Sequence, residues 1–215
     1  IGDYFARLKA ETLALWNLIE PFGASFAELM GKTTPFLKAV EATDDVSQES
    51  IDALKAVAVE LNTEDKAGEA SGLEATKILE AQLKLEVPTS MEDQKRFRAS
   101  WDLGLPMARA WLKNMDHQHK LTHRLVDATE KTCAARQHEA WETCALKRAL
   151  DAFDAAHQDL HEQLKAIFYL QAQIHWLQDR FPDAVYVDVL GLCKRVTITE
   201  IEANDWSLTP GRYVG

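Results

Sequence analysis

The side chains best equipped for chemistry are histidines, and all seven fall between His117 and His175. His119/His123 and His157/His161 stand four residues apart, a spacing that puts two imidazoles on one helix face within reach of one metal ion. Two observations weigh against a metal centre. No Glu-x-x-His occurs, the motif used by carboxylate-rich bundle metal sites, and His157 falls inside an apolar seam described below. We therefore assign no metal ligands and read these residues as hydrogen-bonded or solvated helix histidines.

A second group is basic. Residues 95–148 contain Lys95, Arg96, Arg98, Arg109, Lys113, Lys120, Arg124, Lys131, Arg136, Lys147 and Arg148 against 6 acidic side chains, a net +5 in a chain whose formal charge is −10. Residues 1–94 carry −10 and residues 149–215 carry −5. The acidic total disfavours indiscriminate DNA binding, because phosphate contact rests on Lys and Arg. A helix presenting the island could track duplex DNA through Lys95, Arg96, Arg98, Lys120, Arg124, Lys131, Arg136, Lys147 and Arg148. The competing reading is a solvated face paired with the acidic N-terminal segments.

Other chemistries find no support. There is no Gly-x-Ser-x-Gly, Gly-x-Gly-x-x-Gly or phosphate-binding loop. Cys133, Cys144 and Cys193 lack CxxC spacing and form no even set, so reduced thiols are expected. Trp16, Trp101, Trp111, Trp141 and Trp176 read as packing anchors. No catalytic or cofactor-binding residue is assigned.

The elements that must position these groups are helices. Phe5, Leu8, Thr12, Leu15 and Ile19 form a stripe with steps of three and four, which Pro21 and Gly23 are expected to break. A second helix over 24–42 is expected to bend or split at Gly31 and Pro35. Asp45 with Gln48 has the form of a cap for a third helix through Ile51, Leu54, Ala58 and Leu61. Residues 62–72 contain no large apolar side chain and read as a mobile loop. Helical patterning resumes at Leu73, stops at Pro88, restarts at Thr89 with Glu92, and breaks at Gly104 and Pro106.

From Met107 to Phe181 there is neither glycine nor proline. One rod of that length would span roughly 110 Å, so a hairpin of two long helices is an equal alternative. Within it Leu146, Leu150, Phe153, His157, Leu160, Leu164, Ile167, Gln171, Ile174, Gln178 and Phe181 advance by four and three. Such a heptad register calls for a partner: residues 107–135, the first helix, or another subunit. After Pro182, Val185, Val187 and Val189 alternate with polar neighbours, and Val196–Ile198 follows, both suited to extended segments. Thr199 with Glu202 is expected to cap a short helical turn, and Thr209-Pro210-Gly211 to make a final turn.

The predicted fold class is mainly α, with long antiparallel helices or a helical bundle of coiled-coil-like packing followed by a short extended or β tail. The organisation divides at 1–106, 107–181 and 182–215. No membrane span or basic-then-apolar leader is evident, which points to the cytoplasm. The first residue is Ile, and the last ones end a motif without a solvating tail, so the chain reads as part of a longer protein.

That final motif carries a resemblance. Gly191-Leu192-Cys193-Lys194, the Thr-x-x-Glu-Ile element at Thr197–Ile201, and Trp206-Ser207-Leu208-Thr209-Pro210-Gly211-Arg212-Tyr213-Val214-Gly215 resemble, in that order, the end of the methylation subunit of type I restriction-modification systems. The likeness covers Asp188 to Gly215, about an eighth of the chain; the helical remainder is only loosely similar to the variable region of some members.

The resemblance implies a parent enzyme that methylates the exocyclic nitrogen of adenine from S-adenosylmethionine. It also implies a specificity subunit, a restriction subunit and a catalytic domain as partners. The glycine-rich cofactor loop and the Asn/Asp-Pro-Pro-Tyr/Phe motif that grips a flipped adenine are both missing here. The chain is thus expected to be a non-catalytic helical C-terminal portion whose long helices dock on the specificity subunit or the catalytic domain and whose basic island lines the DNA path, with Trp206, Leu208, Pro210, Gly211, Arg212 and Tyr213 as a family-motif docking element. The alternative is a helical self-association or scaffold module that does not touch DNA.

Overall fold

The computed structural model describes residues 2–41, 46–132, Ala135 and 141–215. Asp45, Cys133, Arg136 and His138 lie outside the described residues. Four long helices make up the fold: α1 (Gly2–Glu41), α2 (Gln48–Lys84), α3 (Met91–Thr132) and α4 (Thr143–Arg180). A short helix α5 (Ile198–Ala203) and a 3-10 turn (Pro210–Arg212) follow.

Contacts fix the topology. Gln82 meets Ser100 and Asp65 meets Gln118 between α2 and α3. Phe22 meets Phe153 and Glu11 meets Gln163 between α1 and α4. Numbers rising on one helix fall on its neighbour in each case, so the chain is an up-down-up-down four-helix bundle. α1 packs most extensively on α4 and α2 on α3, with α3 on α4 and α1 on α2 closing the ring.

The heptad seam of α4 is the core. Leu146, Phe153, Leu160, Leu164, Ile167, Gln171, Ile174 and Gln178 are all buried, against Phe5, Leu8, Leu15, Phe22, Leu29 and Phe36 of α1 and the buried face of α3. Two long helices, not one rod, occupy 107–181, and the partner of the seam lies within the chain. Thr12, Thr33, Thr122 and Thr129 are buried in the stripes because each hydroxyl donates to the carbonyl four residues back, which satisfies the group without a tertiary partner. Trp101, Trp111 and Trp141 are buried, Trp16 packs at the core's edge, and Arg180 covers the more exposed Trp176.

Several expected interruptions do not occur. α1 runs through Pro21 and Pro35, and α3 through Pro106. All three prolines are exposed, where water can take the place of the missing backbone donor and tertiary burial of the opposite face offsets the lost bond. Residues 62–72 are helical, the middle of α2, and not a loop. Two of its glycines face a neighbouring helix: Gly68 and Gly72 line a cavity of about 530 Å³ with Phe22, Phe26, Leu61 and Trp111. A Cβ on Gly72 would stand 3.1 Å from the Trp111 Nε1, and one on Gly104 only 2.6 Å from Ile78 Cγ2. These glycines permit helices to approach closely and do not end them.

Helix starts shift by a residue or two from expectation. Ser47 caps α2 by accepting from Ser50 N–H, and Ser90, not Thr89, caps α3 by accepting from Asp93 N–H. The capping box of α5 is Thr197 with Glu200, not Thr199 with Glu202.

No strand forms in 182–215; a single antiparallel bridge joins Val189 and Cys193. The tail is instead a closed set of turns. Gly191 N–H donates to Val214 carbonyl at 2.6 Å, which ties the beginning of the motif to its end. Gly191 has φ +73°, a left-handed conformation that favours glycine. No described helix is long and apolar enough to cross a membrane.

Candidate functional site

The antiparallel register of α3 and α4 assembles a polar ladder along one side of the bundle. On α3, Asp116, His119 and His123 lie on one face; on α4, Asp154, His157 and His161 have the same spacing. Each helix thus carries Asp-x2-His-x3-His. Running in opposite directions, the two copies interlock, each aspartate meeting the histidines of the other helix.

Asp154 Oδ1 lies 2.7 Å from His119 Nε2 and 2.6 Å from His123 Nε2. Asp116 Oδ1 lies 2.9 Å from His157 Nε2, and its Oδ2 lies 3.9 Å from His161 Nε2. The His119 and His157 rings stack at 4.2 Å and 13° where the copies meet. Two heptads along, the same register brings Asp102 to Gln171 and His175, with glutamine in place of the first histidine. The pattern stops being polar between these rungs: Arg109 lies over the Phe168 ring at 5.5 Å.

The electrostatics follow from this arrangement. Burial acts to raise the Asp154 carboxyl, but hydrogen bonds from His123 and His119 outweigh it and hold the group below its ordinary value. For His157 burial dominates, reinforced by neighbouring His119, and overcomes Asp116 to lower the imidazole below its ordinary value. A carboxylate accepts, so the His157 Nε2 that faces Asp116 Oδ1 is the donor.

His119, His123 and Asp154 are the described group whose ligand atoms come together within 4.8 Å. Their side chains are 23%, 37% and 42% exposed, so the site opens to solvent on one side. His117 lies on the opposite face, toward Glu60 and Glu64 of α2. His119, His123, His157 and His175 are hydrogen-bonded to aspartates, and their convergence across two helices was not visible from the four-residue spacing alone. The sequence signal for it is the doubled Asp-x2-His-x3-His, in which aspartate stands where a Glu-x-x-His motif has glutamate.

The basic residues fall into two groups along the bundle. Lys95, Arg96 and Arg98 belong to the start of α3, whereas Lys120, Arg124 and Lys131 lie on its second half, and Lys147 and Arg148 at the start of α4. From residue 96 to residue 120 a helix rises roughly 36 Å. Several cations have acidic neighbours: Arg96 with Glu92 and Asp93, Arg98 with Asp179 at 2.7 Å, Arg124 with Glu60 and Lys131 with Asp127.

The tail gathers its assigned residues differently. Tyr213 hydroxyl donates to Ser207 carbonyl, and Arg212 Nη1 donates to Asn204 carbonyl at 3.3 Å. Glu200 accepts from the Thr197 backbone, Lys194 and the Thr197 hydroxyl, which together hold its carboxyl down to about 2. No residue of 182–215 is buried. Leu190, Trp206 and Leu208 are 89%, 63% and 76% exposed, and Val185, Val187 and Ile198 are exposed as well. Asp205 and Trp206 both have positive φ, 57° and 58°, a costly backbone for residues other than glycine.

Fold and site together define an antiparallel four-helix bundle with an interlocked histidine–aspartate rung, followed by a turn-rich tail without a core. No family model, curated protein or solved structure matches the chain.

Proposed function

We propose that the chain is the non-catalytic helical C-terminal portion of a type I restriction-modification methylation subunit, and that its tail docks on the specificity subunit or the catalytic domain of the parent enzyme. The observation that carries the reading is the tail itself. Its motif from Gly191 to Gly215 is the stretch that resembles the family, and it holds Trp206 and Leu208 outward on a hydrogen-bonded frame. Apolar side chains fixed on a frame and left in water are characteristic of a surface completed by a partner. The consecutive left-handed residues Asp205 and Trp206 fit this reading, since backbone strain concentrates where function requires a particular presentation.

S-adenosylmethionine belongs to the parent enzyme in this proposal, and no residue here is assigned to it. Duplex DNA contact is the subordinate part, resting on the group at the α3–α4 end, Lys120, Arg124, Lys131, Lys147 and Arg148. Self-association through the α4 seam loses its motive, because that seam is buried against α1 and α3 of the same chain.

Co-purification of the 215-residue chain with its specificity subunit and with the catalytic domain tests the reading. Capture of either, lost in Trp206→Ala/Leu208→Ala, is the expected result; no capture of either would overturn it. Charge reversal of Arg124, Arg136 and Arg148 is expected to abolish salt-sensitive retention of duplex DNA while the bundle stays folded.

A further inference from the structure

We propose that His119, His123 and Asp154 form a binding site for a divalent transition-metal ion of the zinc and cobalt class, clamping α3 to α4. The donor set is the first argument. Two imidazole nitrogens and one carboxylate suit Zn²⁺ and Co²⁺ and not Ca²⁺ or Mg²⁺, which take oxygen ligands. Two histidines and one carboxylate with an open side are the ligand complement of a three-protein-ligand zinc site, whose remaining position is filled by water.

The geometry is the second argument. His119 Nε2 and His123 Nε2 converge on the same oxygen, Asp154 Oδ1, so three donors already lie within 4.8 Å of one another. A metal with ligands at about 2.0–2.1 Å holds neighbouring donors about 3.0–3.4 Å apart. The observed 2.6–2.7 Å separations therefore need to open by less than about one ångström, which side-chain rotation supplies. No net charge has to be created on the imidazoles: moving each proton from Nε2 to Nδ1 frees the lone pair that the ion takes.

Support around the site is the third argument. The His119 ring is held between Phe153, at 5.4 Å, and the stacked ring of His157. His157 is itself anchored by Asp116. A ligand ring fixed by packing and by a hydrogen-bonded neighbour loses little freedom on binding. The facing half, Asp116 with His157 and His161, is looser, because the Asp116–His161 separation is 3.9 Å; it orients the site and is not counted among its ligands.

The test is titration of the chelator-treated 215-residue chain with Co²⁺ and Zn²⁺, followed by calorimetry and by the visible ligand-field absorption of Co²⁺. One equivalent is expected to bind, to raise the thermal midpoint, and to be removed by EDTA. His123→Ala and Asp154→Asn should each weaken binding at least about tenfold, and Asp116→Asn should weaken it about tenfold through ring orientation. His175→Ala, which removes a histidine from the separate Asp102 rung, should leave affinity unchanged.

His119→Gln, with helicity checked by circular dichroism, serves if an alanine variant fails to fold. The proposal is overturned if no equivalent binds, if His123→Ala and His119→Gln bind as tightly as the parent chain, or if His175→Ala weakens binding as much as they do. The last two outcomes would identify nonspecific surface coordination. None of these results depends on a partner subunit, so they stand apart from the docking test.

Discussion

Phe153 in α4 and Trp206 in the tail are both large aromatic side chains, yet Phe153 is fully buried and Trp206 stands mostly in water. The difference is one of architecture. In the bundle every apolar stripe has a counterpart: α4 buries its seam against α1 and α3, and the helices lose their apolar faces to one another. The tail has no such counterpart and is organised chiefly by polar contacts, from the Thr197–Glu200 capping box and the Lys194–Glu200 ion pair to the Gly191–Val214 tie. Packing holds the first region; local polar geometry shapes the second and leaves its apolar groups available.

The contrast can be broken most forcefully in the core. Phe153→Ala should lower global stability by about 3–5 kcal/mol, read by denaturant unfolding of the helical signal, because Phe153 is fully buried and packs on Phe22, Phe26 and His119. A loss under about 1 kcal/mol would show that the α1–α4 interface is not the main source of stability.

Gly104→Val comes next. Its Cβ would meet Ile78 Cγ2 at 2.6 Å, so the overpacked α2–α3 contact should cost about 1–3 kcal/mol. Stabilisation by the improved helix propensity would instead mean that the two helices can part.

Smaller effects are expected in the tail. Thr197→Ala should cost about 1 kcal/mol of local stability, seen as faster amide exchange in Ile198–Ala203 while the bundle's midpoint stays put. The same box gives a pH dependence. The Glu200 carboxyl is depressed from 4.5 to about 2, so its contribution is complete above pH 4.5 and lost as pH falls through about 2. Chemical shifts of the capping amides should follow that titration, and a midpoint at the ordinary carboxylate value would contradict the box. Smallest of all, Leu208→Ser should change stability by less than about 0.5 kcal/mol while weakening capture of the partner.

Much of the helical content was legible because burial on a helix writes itself as a period. The steps of four and three from Leu146 to Gln178 predicted the buried face of α4 nearly residue by residue, and Phe5, Leu8, Thr12 and Leu15 did the same for α1. The breaks misled because glycine and proline have two meanings. At Gly72 and Gly104 the missing side chain admits a neighbouring helix, and at Pro21, Pro35 and Pro106 the exposed position tolerates the missing donor. Local propensity cannot separate these cases from true helix ends. The alternation at Val185, Val187 and Val189 misled for a related reason: a strand needs a neighbouring strand, and the tail supplies only one bridge.

The amino-acid sequence by itself determined that long amphipathic helices would form, since periodic burial and capping act over a few residues. It also placed two imidazoles on one face at each of two positions. Only the tertiary structure decided that residues 107–181 fold back on themselves. That fold sets α3 against α4 in the register where Asp154 reaches His119 and His123. The convergence of those groups depends on the alignment of two helices whose packed surfaces extend far beyond the site. No local run of residues encodes that alignment; it is chosen by the sum of the contacts that close the bundle.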